Sequence, residues 1–485
     1  MKGIKVILLG VISASILTSC FKDEDDEVKE VESIEFNDPS NLEIEDFVWK
    51  GMNAFYLYKA DSPNLANDRF STNEEYTDYL SSFENADDLF FNDLVTDFDR
   101  FSFRSLDYRE LEAQFAGEET TTGLRLTYVS IEGSSDTFLA TLYVIPGSPA
   151  DEAGLTRGTL FNSVDGNVLD DQDDVNALLS GSSFELGIAT LNGNTISSTG
   201  ETVTLNRVEL IENPILTTSI IDVNGSKVGY LHYTSFVADF DDELNDAFAI
   251  FQAEGITELV IDVRYNGGGS VESAKDLSSM VTGQFNDELY ASEQWNADIQ
   301  AAILSGDINR DITNEFDDTI RTGESINSLG LNRLFVLAGR RSASASELLI
   351  NSLRPYITVT HVGDQTVGKS QASITLYDSE NFTKNGPEFN EAHFYVIQPL
   401  VLITSNANDE TVPVDGLVPN ILLGQENVAN LGQLGDPNEP WLAEALSIIS
   451  GDPVPPAPFD GKASASFLSN PLIKDKGMQV EFNQE

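Results

Sequence analysis

Leu334-Phe335-Val336-Leu337-Ala338-Gly339-Arg340-Arg341-Ser342-Ala343-Ser344-Ala345-Ser346-Glu347 is the stretch on which the fold of this 485-residue chain turns. Its first five residues are an unbroken apolar run, as a strand buried on both faces requires. A run of small residues follows, and a helix is predicted from about Ser344 to Leu353. A strand that turns sharply into a helix can present a hydroxyl at the rim of a sheet. The helix's unpaired N–H groups then face any anion formed when that hydroxyl attacks a carbonyl. Alanines on either side let a substrate backbone come close. Taken alone, a Ser/Ala run at a helix start reads more often as an N-cap region.

Outward from this stretch the pattern alternates. Val228–Tyr233 reads as a strand, Asp239–Gln252 as an amphipathic helix and Glu258–Val263 as a buried strand, giving an α/β unit over residues 215–450. Within it, Asp262-Val263-Arg264-Tyr265-Asn266-Gly267-Gly268-Gly269-Ser270 is a strand ending in a glycine turn. Three glycines let backbone N–H groups converge on an anion, although a plain glycine-rich loop has the same composition. Gly363-Asp364-Gln365-Thr366-Val367-Gly368-Lys369-Ser370 follows a strand over Ile357–Val362 and satisfies the bare phosphate-loop pattern. A phosphate loop needs a helix directly after it. Here Ala372-Ser373-Ile374-Thr375-Leu376-Tyr377 reads as a strand, so nucleotide binding is not expected.

Two smaller units come first. Over residues 42–117, Phe47, Val48, Met52, Phe55 and Tyr56, then Tyr76, Leu80 and Phe83, recur at helical spacing, as aromatic residues closing a small helical bundle do. Residues 118–210 alternate around Leu124–Val129 and Thr137–Val144, then run Pro146-Gly147-Ser148-Pro149-Ala150-Asp151-Glu152-Ala153-Gly154-Leu155, a turn and short helix ending at a glycine. Phe161-Asn162-Ser163-Val164-Asp165-Gly166 reads as a strand and tight turn, and Asp173–Leu179 as a second helix. This order resembles the circularly arranged PDZ domain of bacterial proteases. The resemblance implies a sheet edge that takes an extended peptide and a loop at Gly123 and Leu124 that holds its terminal carboxylate. Residues 451–485 open with a Pro-rich linker and are otherwise unassigned.

Lys and Arg total 27 against 80 Asp and Glu, a formal charge of −53 that repels phosphate backbones, so nucleic acid is not an expected partner. Lys2 and Lys5 precede an apolar core, Val6–Leu17, too short for a comfortable transmembrane helix. That core ends in Leu17-Thr18-Ser19-Cys20, which contains the chain's one cysteine. The segment resembles the lipobox of bacterial lipoproteins. It implies a signal peptide over residues 1–20, a lipidated Cys20 as membrane anchor, and an outer-membrane lipoprotein of the bacterial cell envelope, periplasmic or surface-exposed. The acidic tether over residues 21–41 resembles the surface-export signal of Bacteroidota lipoproteins. One cysteine excludes intrachain disulfides. The three histidines, His232, His361 and His393, form no His-Glu-x-x-His motif, which argues against a zinc protease. No metal or other cofactor is expected.

Together the three core segments resemble the carboxyl-terminal processing peptidase family, also called tail-specific proteases. The likeness rests on the Ser-Ala-Ser-Ala-Ser-Glu run with Ser344 in its middle, on Thr366-Val367-Gly368-Lys369, on the interval of 25 positions from Ser344 to Lys369, and on Asp262-Val263-Arg264 before the glycine turn. It covers roughly residues 42–450 and implies a multidomain α/β protein: a helical N-terminal region, a PDZ domain and a serine-protease core of the tail-specific (ClpP/crotonase-like) type. It further implies an endopeptidase acting on proteins or peptides with free C-termini, with Ser344 as nucleophile and Lys369 as general base. The N–H groups of Ala345 and of Gly268 or Gly269 would hold the oxyanion. A free lysine, with a pKa of about 10.4, is protonated at neutral pH; burial among apolar groups lowers that value and makes the amine a usable base. Many family members carry a glutamine four positions after the lysine. Here that position is Ser373, and Gln371 stands two positions after; residues two and four apart share a strand face, so either can orient the lysine. Glu347 matches the family's Ser-x-x-Glu position and either assists the chemistry or caps the helix. The competing reading is a non-catalytic PDZ-type peptide-binding lipoprotein on the same fold, against which the intact Ser344/Lys369 pair argues.

Overall fold

The apolar run at 334–338 lies in strand Arg333–Ala338, inside a sheet ordered Ile215–Val223, Ser226–Tyr233, Glu258–Asp262, Arg333–Ala338, Thr358–Gly363, Ile421–Leu422. The first pair is antiparallel and the rest are parallel. The computed structural model describes residues 42–131, 137–170, 175–193, 195–451 and 465–467. Signal peptide, Cys20, tether and most of the 451–485 tail therefore lie outside the described residues.

Successive side chains of a strand point to opposite faces, and both faces here are covered. Leu334, Val336 and Ala338 join Ile261 in a large cluster with Leu244 and Phe248 of helix Asp241–Glu254, Leu277 of helix Val271–Thr282 and Leu348 of helix Ala345–Leu353. Phe335 and Leu337 turn the other way, onto Trp441 and Leu442 of helix Pro440–Ser450. A second, antiparallel sheet runs Thr313–Glu315, Leu289–Trp295, Leu400–Ser405, Gln371–Ser373 and carries the chain just after Lys369.

The main elements of residues 43–115 are helices at Glu43–Phe55, Asn73–Leu80 and Tyr108–Phe115. They do not close a bundle of their own, as their spacing suggested. Phe47, Val48, Met52 and Phe55 bury into the same cluster as the sheet. Strand Phe103–Ser105 pairs with Val396–Gln398, and the N–H of Leu57 donates to Leu400 O at 2.8 Å. The N-terminal region is welded to the second sheet.

Residues 118–211 leave and rejoin the molecule through one antiparallel pair, Glu118–Thr121 with Val208–Ile211. Between these strands a separate sheet forms around its own core of Leu126, Leu139, Phe161 and Leu186, flanked by short helices at Pro149–Glu152 and Val175–Leu178. Residues 465–467 of the otherwise unassigned tail run antiparallel along the edge strand Leu124–Ile131. Among the described residues no helix is long and apolar enough to cross a membrane.

Candidate active site

Three serines alternate through the turn that joins strand Arg333–Ala338 to helix Ala345–Leu353, and the backbone puts them to different uses. Ser342 Oγ donates to Val263 O at 2.8 Å and Ser346 Oγ to Asn266 O at 2.9 Å, so both fasten the turn to the glycine segment. Ser344 Oγ is buried, and among the described residues its hydroxyl has no acceptor. Its backbone is strained, with φ 63° and ψ −115°, a region that residues with a Cβ seldom enter and that persists only where the surroundings enforce it. Sequence spacing could nominate any of the three; hydrogen bonding singles out Ser344.

The glycine turn lies against it. A Cβ on Gly268 would come within 2.8 Å of Ser344 Cβ, and one on Gly269 within 2.1 Å of Phe236 O, so this approach admits glycine alone. Both have positive φ, 115° and 136°. The N–H of Gly268 donates to Asn266 Oδ1 at 2.8 Å, which makes Gly268 a spacer and removes it as an oxyanion donor in this arrangement. No acceptor is found among the described residues for the N–H of Gly269 or of Ala345, the first residue of the helix.

Glu347 joins the Ser344 turn to the lysine turn. Its fully buried carboxylate accepts the N–H of Ser344 (2.8 Å), Lys369 (2.9 Å) and Gly368 (2.8 Å), and the hydroxyl of Thr366. Ser344 and Lys369 thus bond to the same oxygen, Oε2. Burial pushes the Glu347 carboxyl up, and the four donors oppose that by favouring the anion. This residue caps the helix and fixes the lysine turn at the same time.

Lys369 is buried, its ammonium 4.9 Å from the centre of the Phe101 ring. Arg100 Nη2 donates to Gly368 O (2.8 Å) and Val414 O (3.1 Å), which holds the lysine turn from the N-terminal side. Gln371 Nε2 donates to Tyr58 Oη at 2.9 Å, while Ser373 Oγ donates to Gln398 Oε1 at 2.9 Å. The sequence reading missed Tyr58, Arg100 and Phe101. They sit in a segment whose spacing announced only apolar packing, and no local signal marks them.

The strand before the glycine turn is anchored by buried charge. Arg264 Nε reaches Asp262 Oδ1 at 2.9 Å, and its guanidinium reaches Glu439 at 2.7 and 2.9 Å and Glu426 at 2.9 Å. Arg157 of the 118–211 unit bonds both Glu426 and the hydroxyl of Tyr265. Two cations hold Glu426 down to about 2 despite its burial. Elsewhere, Gly123 stands at φ 75°, where a Cβ would strike Ser148. The N–H groups of Gly123 and Leu124 donate to the hydroxyls of Thr121 (3.1 Å) and Thr122 (3.4 Å). The histidines stay apart from Ser344 Oγ. His361 is buried against Ala338 O and pushed down to about 4 by that burial, and His393 bonds Asp378. No cluster of metal-ligating groups occurs among the described residues.

The site is thus a strained serine on a strand-to-helix turn, close to a glycine turn and joined through Glu347 to a turn that bears a buried lysine. Residues 227–382 match the peptidase family S41, and residues 43–103 match the peptidase S41 N-terminal domain. Over these two segments the chain is similar to the S41 peptidases. It is 28% identical over 276 residues to the chloroplastic C-terminal processing peptidase of Tetradesmus obliquus, covering 54% of this chain and 54% of that protein. It is 25% identical over 313 residues to a carboxyl-terminal-processing protease of Picosynechococcus sp., covering 63% and 67%. The chain thus spans about half to two thirds of the length of these relatives. A crystal structure from Bacteroides fragilis NCTC 9343, assigned to the S41 proteases, superposes with a TM-score of 0.64 at 26% identity, covering 84% of this chain and 97% of the other.

Proposed function

We propose that this protein is a serine endopeptidase that cleaves proteins or peptides near their C-terminus, with Ser344 as nucleophile and Lys369 as general base. The observation that carries the reading is the Ser344 turn: a strained, buried serine with an unpartnered Oγ, tied through Glu347 to the turn that bears a buried lysine. The names of the relatives support the substrate class.

Lys369 acts as the neutral amine, which apolar burial favours. It takes the proton of Ser344 as Oγ bonds to the scissile carbonyl carbon. The resulting oxyanion is held by the N–H groups of Ala345 and Gly269. The ammonium then protonates the leaving nitrogen as the C–N bond breaks. Water attacks the acyl-enzyme, gives its proton to the amine, and the proton returns to Oγ as the acid leaves. Ser344 and Lys369 are both buried, so a substrate backbone reaches them only after the surrounding walls part.

In this reading the 118–211 unit is a PDZ domain that takes the substrate tail along Leu124–Tyr128, the part of that edge strand that residues 465–467 leave open. The terminal carboxylate replaces the Thr121 and Thr122 hydroxyls on the N–H groups of Gly123 and Leu124. Cys20 is the lipid anchor that places the protein at the cell envelope. The test is hydrolysis of an unfolded reporter with a free apolar C-terminus. Ser344→Ala and Lys369→Ala should each remove turnover, and normal turnover by either would sink the dyad. Amidating the reporter's C-terminus should raise KM; no change would count against tail recognition. Cys20→Ala should release the protein from membranes on fractionation, and continued sedimentation with them would end the anchor assignment.

A further inference from the structure

The lysine turn is positioned from outside the 215–450 unit, and one contact there answers a question the sequence leaves open. Tyr58 packs edge-on against Tyr56 and Phe98, with ring centres 5.7 and 4.9 Å away, so its hydroxyl has a fixed place. That hydroxyl accepts from Gln371 Nε2 at 2.9 Å. An amide has two unlike ends, and once Nε2 is committed Oε1 must face the other way. Gln371 Oε1 is buried and has no hydrogen-bond partner among the described residues. A buried acceptor left open costs about 1–3 kcal/mol and calls for a reason.

Lys369 supplies one. Ser370 stands immediately before strand Gln371–Ser373, and its carbonyl accepts the N–H and hydroxyl of Thr404 at 3.0 and 3.1 Å, continuing the ladder in which Gln371 faces Ile403; alternate residues of such a segment share a side. The alternative orienting residue, Ser373, gives its hydroxyl proton to Gln398 Oε1, and its buried oxygen is not left open as Gln371 Oε1 is.

We infer that Tyr58 is a positioning residue of the peptidase site: it fixes the Gln371 amide so that Oε1 accepts a hydrogen from Lys369 Nζ when the amine acts as base. This rests on the Ser344/Lys369 reading. The region containing residues 43–103 is then part of the catalytic apparatus and more than a cover. Several other groups around the lysine turn have roles of their own. Glu347 takes its backbone N–H, Arg100 holds the carbonyl before it, Phe101 lies under its ammonium, and Asp99 is occupied by Tyr56 and Ser102.

The test uses the whole protein and the unfolded reporter, comparing Tyr58→Phe, Gln371→Ala and the double variant. Tyr58→Phe keeps the ring and removes only the hydroxyl; kcat should fall about 5- to 20-fold with KM within about twofold. The double variant should lose no more than Gln371→Ala alone, because the missing hydroxyl then has nothing to hold. A carbonyl acceptor favours the ammonium, so losing it should move the rising limb of kcat/KM to lower pH. General loosening that admits water would move that limb to higher pH. Wild-type kcat in Tyr58→Phe, multiplied losses in the double variant, or a limb displaced upward would each overturn the inference while leaving the dyad standing. A wild-type protein no more active than Ser344→Ala would instead remove the peptidase reading on which the inference depends.

Discussion

At Ser344 the chain holds an alanine-like side chain in a conformation that suits glycine. Strain of this kind costs about 1–3 kcal/mol and is kept only where it is used. Ser344→Gly and Ser344→Ala both delete the hydroxyl, but only the glycine relieves φ 63°. Both variants should be inactive, and Ser344→Gly should melt at the higher temperature by calorimetry; equal melting would mean that the turn stores no strain. Glu347→Gln tests the clamp. The amide would put an N–H donor where only donors converge, so at least one buried N–H loses its acceptor at a cost of about 1–3 kcal/mol. Turnover should fall at least about 100-fold as the two turns lose register, a loss read from kcat at saturating substrate. At this scale the sequence was only partly legible. The Ser-Ala-Ser-Ala-Ser-Glu run and Lys369 stood out by motif and spacing. The choice among three serines, the diversion of the Gly268 N–H to Asn266, and the double duty of Glu347 depend on hydrogen bonds between segments far apart in the chain, which no local pattern encodes.

Elements were easier to predict than their neighbours. The buried strand at 334–338, the helix after Ser344 and the strand after Lys369 come straight from apolar runs and periodicity. The helix Glu43–Phe55 was also predicted, but periodicity says which face is buried and not against what; that face enters the main core. Helix Val271–Thr282 carries Asp276, fully buried, whose carboxyl is pushed up to about 8 by burial and by the nearby Glu272 charge. From pH 3.8 to about 8 the native state therefore keeps a proton that the unfolded chain has lost, and the associated stability disappears as pH rises through that window. Asp276→Asn has no proton to lose. Its stability relative to wild type should grow from pH 5 to pH 9 in urea titrations, and a pH-independent difference would contradict the assignment. On the 118–211 unit, residues 465–467 pair with Val129–Ile131. A chain ending at Gly451 should show faster amide hydrogen exchange along that edge; unchanged protection would mean that the pairing contributes nothing there.

Across the whole molecule, a formal charge of −53 gives the protein a strongly negative net field. Screening weakens such a field over about 10 Å at 0.1 M salt. Reporters with basic tails should lose kcat/KM as salt is added, and those with acidic tails should gain. Parallel salt dependence for both would show that the field does not steer substrates. The Arg100 contact with Gly368 and Val414, which spans 268 and 314 residues of sequence, has one more consequence. The lysine is enclosed by Phe101 from early in the chain, and its turn by Thr366 bonding to the N–H of Leu417 from late in it. During synthesis Ser344 and Lys369 emerge long before that late wall exists. A nascent chain therefore carries Ser344 and Lys369 before the late wall of the lysine turn has been made, and under the proposed dyad any reactivity waits on that wall.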